Sequence, residues 1–231
     1  MKKVIRLIVV AIISCIVFQG KAQVISDRAR DGLKGKVSSC TTKVYKAADK
    51  FGEIQEGSLL SDETVIYDKH GFKLSDKEHR YENKYAQTDK ISIIDVYKGS
   101  ILYRKHKFEH KSGKAIETVY DESGDKIESI IWTPNKSVIS DYCTETTTYN
   151  GSGQTIKQVQ RCDGRTIRIY TYSYNSRSAP IKFKSSYPDF YNQDETITYS
   201  QYKYDSKGNW TYRVNSRNGS VVSIVKREIE Y

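Results

Sequence analysis

The sequence predicts an all-β protein, an antiparallel meander of repeated β-hairpins that forms a twisted open sheet or a half-barrel. Turn signals recur about every 8–12 residues, and the segments between them are rich in β-branched and aromatic residues. Three pairs of turn glycines, 113/124, 153/164 and 208/219, are each 11 residues apart. Self-similarity at a fixed spacing indicates a repeated structural unit. We expect about ten or more strands in a single domain.

The first 22 residues have the three parts of a signal peptide. Three basic side chains precede an apolar run at 7–18, and small residues lead to a cleavage site before Gln23. The run is short for a membrane-spanning helix, so we expect no membrane span after cleavage. A lipoprotein signal ending at Cys15 and an uncleaved anchor are the alternatives. The mature domain, 23–231, is therefore expected in the periplasm, at the outer surface or secreted.

The charge balance gives no reason to expect a nucleic-acid partner. The whole chain carries a net charge of +10, but four of its basic residues lie in the predicted signal peptide, which leaves +6. The remaining basic residues are mixed with acidic ones, and no run of five basic residues occurs. Such a distribution is typical of an ordinary hydrated surface.

Three cysteines remain in the mature chain, Cys40, Cys143 and Cys162. An exported protein meets an oxidising compartment, so a disulfide between Cys143 and Cys162 is expected, with one cysteine left over. A symmetric loop centred on residues 152–153 would place these two opposite each other on neighbouring strands. A glycine bulge at Gly153 would instead place Cys143 opposite Arg161.

The elements follow in order along the chain. Residues 23–35 are polar and favour one helical turn followed by a loop, whereas residues 76–90 suit a polar pair of edge strands. Runs of β-formers that alternate with polar residues predict strands with one buried face. The clearest of these strands are 36–46, 91–97, 101–108, 166–174, 196–204 and 221–231.

A Tyr-Asp-x-x-Gly motif marks several of the turns. An aspartate can accept hydrogen bonds from the next backbone amides, and glycine then takes the positive φ that closes the turn. The tyrosine before it packs across the strand pair. The copies are Tyr67, Asp68 and Gly71; Tyr120, Asp121 and Gly124; and Tyr204, Asp205 and Gly208.

The motif resembles the YD-type (RHS-like) repeat of secreted bacterial proteins. The copy at 204–208, followed by Asn209, matches best, and 149–153 is a variant. Residues 33–37 are similar to the opening of small secreted YD-repeat proteins of Bacteroidetes type. The resemblance spans about residues 33–231 and implies a hairpin meander, but no activity. The toxin-enclosing shell of large RHS proteins is not expected of so short a chain.

Residues 106–110 spell the H-x-x-E-H motif of zinc proteases. That chemistry needs a helix, whereas the flanking residues predict a strand, on which His106 and His110 share one face and Glu109 points away. We therefore expect no metal site. No cofactor-binding fingerprint occurs, so no cofactor is expected either, and no catalytic residue can be named.

Tyrosine dominates the aromatic composition, with 19 Tyr against 6 Phe and 2 Trp. Its flat apolar ring and polar tip suit stacking on sugars or peptides, although strands also use tyrosine without any ligand. The candidate binding residues are Trp132, before the Thr133-Pro134 turn, and Tyr187, Phe190 and Tyr191 in the longest loop.

These features favour an exported, non-enzymatic binding or structural module. It would present a Tyr-rich sheet face to a protein or glycan of the cell envelope or host. The alternatives are a hydrolase acting on envelope or host polymers and an RHS-related secreted effector.

Replacing a turn glycine should destabilise the fold. We expect Gly208→Val to lower the free energy of unfolding by about 1 kcal/mol or more, because a β-branched residue resists positive φ. Urea unfolding of the variant and the wild type measures this difference. Unchanged stability together with a loss of ligand binding would make the motif functional rather than structural.

Overall fold

A computed structural model describes residues 24–86, 89–111, 113–140, 143–188 and 194–231. These residues form one helical turn, α1 (Asp27–Arg30), and sixteen strands. The strands are β1 (Ser39–Lys50), β2 (Glu53–Tyr67), β3 (Lys73–Ser75), β4 (Arg80–Tyr85), β5 (Ile91–Lys98), β6 (Ile101–Lys111), β7 (Lys114–Tyr120), β8 (Lys126–Thr133), β9 (Lys136–Ser140), β10 (Cys143–Tyr149), β11 (Thr155–Cys162), β12 (Arg165–Tyr174), β13 (Pro180–Ser186), β14 (Glu195–Tyr204), β15 (Trp210–Arg217) and β16 (Ser220–Glu230). The predicted signal peptide, with Cys15, lies outside the described residues.

Strand pairing closes the sheet into a barrel. Each strand pairs antiparallel with its neighbours in sequence, and β1 pairs with β16 from Ser39 opposite Glu230 to Lys46 opposite Ser223. The predicted antiparallel meander is confirmed, but the predicted open sheet or half-barrel is wrong. A closed barrel has no edge, so residues 76–90 do not form an edge pair; β4 pairs with β5 within the ring.

Residues 24–37, here called the N-terminal segment, lie inside the barrel. The guanidinium of Arg30 lies 5.7 Å from the ring centroid of Trp132 on β8, and the same side chain lines a cavity with Trp210 on β15. Because β8 and β15 are separate parts of the wall, the segment occupies the space between them. We call this enclosed space the lumen. Ser26 caps α1 by accepting a hydrogen bond from the N–H of Ala29 at 3.4 Å.

Turns at one end of the barrel hold the N-terminal segment. The carbonyl of Gly71 accepts a hydrogen bond from the N–H of Arg28 at 2.9 Å. The side chain of Asn209 accepts from the N–H of Lys34 at 2.7 Å and donates to the carbonyl of Lys34 at 3.0 Å. We call this the near end. The opposite end of the barrel is called the far end. β1 begins at the near end and the chain reverses at every turn, so even-numbered strands end at the near end and odd-numbered strands at the far end.

The Tyr-Asp-x-x-Gly motifs form tight turns with one hydrogen-bonding pattern. In each, the aspartate Oδ1 accepts from the backbone N–H groups two and four residues later, and the glycine has φ between +81° and +90°. Only glycine adopts this region without strain. The motifs of Asp68 and Asp205 lie at the near end, whereas that of Asp121 lies at the far end.

Cys143 and Cys162 form a disulfide between β10 and β11, with their Cα atoms 4.4 Å apart. The β10–β11 pairing has a register shift between Thr148 and Tyr149, next to the turn that joins the two strands. Beyond this shift the strands stay in register, and Cys143 lies directly opposite Cys162. Cys40 is free and buried, and burial raises the pKa of its thiol. The bridge thus fixes one hairpin of the wall without involving the barrel closure.

The hydrogen bonds of Asn209 should stabilise the fold measurably. Its side chain is buried, and Asn209→Ala would leave both backbone groups of Lys34 without their partner. We expect a loss of about 1–3 kcal/mol in the free energy of unfolding, measured in urea. Asp125→Ala is the matched control, because Asp125 occupies the same turn position at the far end and is exposed. Equal losses in both variants would show that the contact with the N-terminal segment adds nothing.

Acid should weaken this same contact through Asp205. Burial opposes the shift, but hydrogen bonds from the Tyr231 hydroxyl and from the turn N–H groups lower the pKa of Asp205 below its ordinary 3.8. A carboxylate with a lowered folded-state pKa contributes stability above its unfolded pKa and loses it as the pH falls through the folded value. We therefore expect Asp205→Asn to unfold with a flatter pH dependence than the wild type below about pH 4.

Asparagine keeps the turn, as Asn150 and Asn175 do at equivalent positions, so this variant removes mainly the charge. Urea unfolding at a series of pH values measures the effect. Asp62→Asn, on an exposed part of β2, is the control. A pH profile that flattens equally in both variants would contradict the assignment to Asp205.

Candidate functional site

The N-terminal segment leaves several cavities in the barrel. One of about 540 Å³ lies at the near end, between the segment and turn residues such as His70 and Asn150. Another of about 280 Å³ extends from Arg30 to the wall formed by β4–β8. A third of about 230 Å³, here called the aromatic cavity, lies between the segment and the β12–β16 wall. Its characteristic lining residues are Tyr172, Tyr174, Tyr199, Trp210, Arg213 and Arg227.

Trp210 anchors the wall of the aromatic cavity. Its side chain is buried, and the Cζ atoms of Arg227 and Arg213 lie 3.8 Å and 4.4 Å from its ring centroid. The Cζ atom of Arg213 also lies 4.3 Å from the ring centroid of Tyr199. A guanidinium at this distance from an aromatic face is attracted by the ring quadrupole. We call Trp210, Arg213 and Arg227 the arginine–tryptophan cluster.

Strand alternation brings the two arginines to one face. Arg213 on β15 lies opposite Val225 on β16, and Arg227 is two residues beyond Val225. Residues two apart on a strand point to the same side of the sheet. Val225 is buried and packs with Trp210 in one apolar cluster, so this side is the lumen side.

The two guanidiniums lack a carboxylate in ion-pair contact among the described residues. Both Nε atoms are buried, and neither has a hydrogen-bond partner in the described part of the chain. Burial lowers the pKa of both groups, and the charge of Arg227 lowers the pKa of Arg213 further. Asp31 is the carboxylate that acts electrostatically on Arg227, but its Oδ2 accepts a hydrogen bond from the Tyr67 hydroxyl at 2.6 Å.

The tyrosines of the aromatic cavity are neutral hydrogen-bonding groups. Burial raises the pKa of Tyr172 and of Tyr174 to about 12, so both stay protonated at neutral pH. The Tyr172 hydroxyl donates to Oε1 of Gln158 at 3.1 Å, and the Tyr174 hydroxyl donates to the carbonyl of Thr155 at 2.6 Å. These hydrogen bonds fix the orientations of the two tyrosine rings. Both rings line the aromatic cavity.

The opposite wall holds a second polar network. Nδ1 of His106 lies 2.6 Å from Oε1 of Glu117, and the indole N–H of Trp132 donates to Oε2 of the same carboxylate at 2.8 Å. Trp132 stacks on Tyr149, whose hydroxyl lies 2.9 Å from that of Ser137. Both oxygens of Glu117 are therefore engaged by neighbouring side chains.

The candidate binding residues named from the sequence do not form one site among the described residues. Trp132 is only 4% exposed and belongs to an apolar cluster rather than to an open surface. The ring of Tyr187 lies near the guanidinium of Arg168, with 5.5 Å between ring centroid and Cζ. Phe190 and Tyr191 lie outside the described residues.

The tyrosines of the three turn motifs have different surroundings. Tyr67 is buried and bonded to Asp31 in the N-terminal segment. The hydroxyl of Tyr204 accepts from the side-chain amide of Asn175 at 2.9 Å. At the far end, the ammonium of Lys107 lies 4.8 Å from the ring centroid of Tyr120.

The zinc-protease spelling at 106–110 lies on strand β6 and does not form that motif's geometry. Nε2 of His110 lies 2.6 Å from the carbonyl oxygen of Ile91, while exposed Glu109 pairs with Lys111 at 3.3 Å. No group of three or more His, Cys, Asp or Glu side chains that suits a metal ion occurs in the part of the chain that the structure describes.

Sequence reasoning missed Arg213, Arg227 and Tyr199 as site residues. In the sequence analysis Trp210 had no role in a site, and the arginines were treated as part of a mixed surface charge. The sequence did contain an indication of this site. Arg227 is two residues after the apolar Val225, so both side chains are expected on the same side of the strand. An arginine in the buried phase of an alternating strand needs a special environment.

Comparison with known proteins gives no family for this chain. No protein-family model matches it, and no curated protein does. A crystal structure of a porin-like protein from Bacteroides uniformis ATCC 8492 aligns with 15% identity and a TM-score of 0.33 over 84% of this chain and 96% of that one. The structure of TcdB2-TccC3-TEV aligns with 12% identity and a TM-score of 0.24 over 81% of this chain and 11% of that one. We take no function from either likeness, since both TM-scores are below 0.5.

Within the described residues, no helix has the length and apolar character needed to cross a bilayer.

Proposed function

We propose that the mature chain is an exported, non-enzymatic binding module that holds part of a glycan in the aromatic cavity. The observation that carries the proposal is the arginine–tryptophan cluster, which lies beside tyrosine rings in a cavity inside the barrel. Aromatic faces with a few fixed polar groups are the usual lining of small-molecule sites. Sugar rings stack on such faces and hydrogen-bond to the polar groups around them.

The position of the cavity favours a glycan over a protein partner. A sheet face that binds a folded protein has to be outside the barrel, whereas the rings of Tyr172, Tyr199 and Trp210 line the lumen. A volume of about 230 Å³ corresponds to roughly seven or eight water molecules at about 30 Å³ each, which is near the size of one sugar ring. The bound group is therefore best taken as a terminal or branching sugar.

Export is part of the proposal and rests on the leader sequence and the disulfide. The 1–22 leader has the pattern of a signal peptide. The Cys143–Cys162 bridge suits an oxidising compartment outside the cytosol. Periplasm, outer surface and medium are all compatible with these two features. The kinship to small YD-repeat proteins is likewise part of the proposal and rests on the turn motifs.

A glycan array tests the binding proposal. We expect the mature protein to bind a subset of glycans and Tyr199→Ala to lose about tenfold or more in affinity, because an aromatic wall of the cavity is removed. Tyr103→Ala is the matched control, since Tyr103 is 39% exposed and does not line the cavity. Thermal unfolding of both variants checks that they fold.

Two outcomes would contradict this proposal. Equal loss of binding in Tyr199→Ala and Tyr103→Ala would place the ligand elsewhere. An absence of glycan binding together with a protein captured from envelope extracts would replace the glycan by a protein partner.

The His106–Glu117 contact supports a hydrolase as the second candidate. A histidine oriented by a carboxylate can act as a general base. No serine or cysteine side chain among the described residues is hydrogen-bonded to His106, however, and Glu117 is shared with the buried Trp132. We therefore favour a structural role for the pair. Product analysis of glycans incubated with the wild type and with His106→Ala decides between them, because cleavage by the wild type alone would establish the enzyme.

A further inference from the structure

We propose that the aromatic cavity recognises an anionic sugar, whose carboxylate or sulfate ester binds the guanidiniums of Arg213 and Arg227. The inference rests on the proposed glycan-binding function and specifies its ligand class. The two guanidiniums line one cavity of about 230 Å³ and share one aromatic neighbour, Trp210.

The first argument is the charge balance of the cavity. Arg30, which lines the same cavity, pairs with Asp27. Arg213 and Arg227 have no such ion pair among the described residues, and the nearby Asp31 is engaged by the Tyr67 hydroxyl. Two like charges that line one cavity disfavour each other, so an anion bound in that cavity would be stabilised by both.

The second argument is the hydrogen-bonding capacity of the guanidiniums. Each lies over an aromatic ring, and Arg227 donates one terminal N–H to the carbonyl of Asp31 at 3.5 Å. The buried Nε atoms of both arginines have no hydrogen-bond partner among the residues that the structure describes. Guanidinium edges match the geometry of carboxylate, sulfate and phosphate oxygens, and the bonds are strengthened by charge.

The third argument is the surrounding of the cluster. Tyr172, Tyr174 and Tyr199 add ring faces and hydroxyl groups to the same cavity, and Gln154 adds an amide. A bare inorganic anion would use the arginines alone. A sugar that carries an acidic group would use the arginines with its charge and the tyrosines with its ring.

The experiment is a titration of intrinsic tryptophan fluorescence, because Trp210 contacts both arginines. The probes are D-glucuronate, D-glucose and inorganic sulfate, added to the disulfide-intact mature protein at constant ionic strength. We expect glucuronate to bind at least about tenfold more tightly than glucose or sulfate. Trp132→Phe isolates the Trp210 signal, and isothermal titration calorimetry provides a readout that does not depend on either tryptophan.

Arg213→Gln and Arg227→Gln are the test variants, and Arg168→Gln is the matched control. Arg168 also lies over tyrosine rings, those of Tyr170 and Tyr187, but it does not line the aromatic cavity. We expect each test variant to lose about tenfold or more in glucuronate affinity and to keep its weak glucose affinity, while the control stays within about twofold. Arg227→Lys, which keeps the charge, should retain part of the affinity if Arg227→Gln fails to fold.

The outcomes separate this inference from the proposed function. Equal binding of glucuronate and glucose, unaffected by the arginine variants but lost in Tyr199→Ala, would overturn the anionic ligand and leave the glycan module standing. Sulfate binding as tight as glucuronate would overturn the sugar and leave a simple anion site. Absence of binding by all three probes would overturn the anionic-sugar inference, whereas the glycan array decides the proposed function by itself.

Discussion

The pairing of β1 with β16 is the constraint on which the rest of the architecture depends. Eight consecutive residue pairs join the two strands, from Ser39–Glu230 to Lys46–Ser223. Without this ladder the meander would end in two unpaired edges, which attract further strands. With it, one sheet face becomes the inside of a closed wall. Every inward side chain then faces other inward side chains across the lumen, so the composition of that face decides what the interior can hold.

A barrel of sixteen strands is too wide for its own side chains to fill, unlike an eight-stranded barrel, whose interior is closed by side chains. The N-terminal segment occupies part of this width and leaves cavities on both sides of itself. Arg30 illustrates the result, because it is surrounded by the wall yet keeps 39% of its side-chain surface accessible. A charged group can therefore remain hydrated inside the barrel, as Arg30 does, whereas Arg213 and Arg227 are buried beside Trp210.

Local features of the fold were predictable from the sequence, and long-range ones were not. Asp205 and Gly208 indicate a turn because their preferences act within five residues. Closure depends on strands at opposite ends of the chain, and alternation in 221–231 indicates a buried face without naming the partner strand. The site could not be predicted for the same reason. In the sequence Arg213 and Arg227 resemble surface charges, and only the pairing of β15 with β16 in a closed barrel shows that both face the lumen.

The turns of the Tyr-Asp-x-x-Gly type differ between the two ends of the barrel in a residue that lies just after the motif. The residue that follows the positive-φ position differs between the two ends of the barrel. At the near end it is Phe72, Gln154, Ala179 or Asn209, and all four are buried against the N-terminal segment or the lumen wall. At the far end it is Asp125, which is exposed.

This difference has a physical cause. A turn that touches the N-terminal segment must either bury an apolar surface or satisfy backbone groups, as Asn209 does for Lys34, because unpaired buried polar groups are costly. A turn in water has no such requirement, and a charged residue is tolerated there. The motif thus sets the shape of each turn. The single residue after it determines whether the turn also holds the N-terminal segment, which divides the lumen and forms one side of the aromatic cavity.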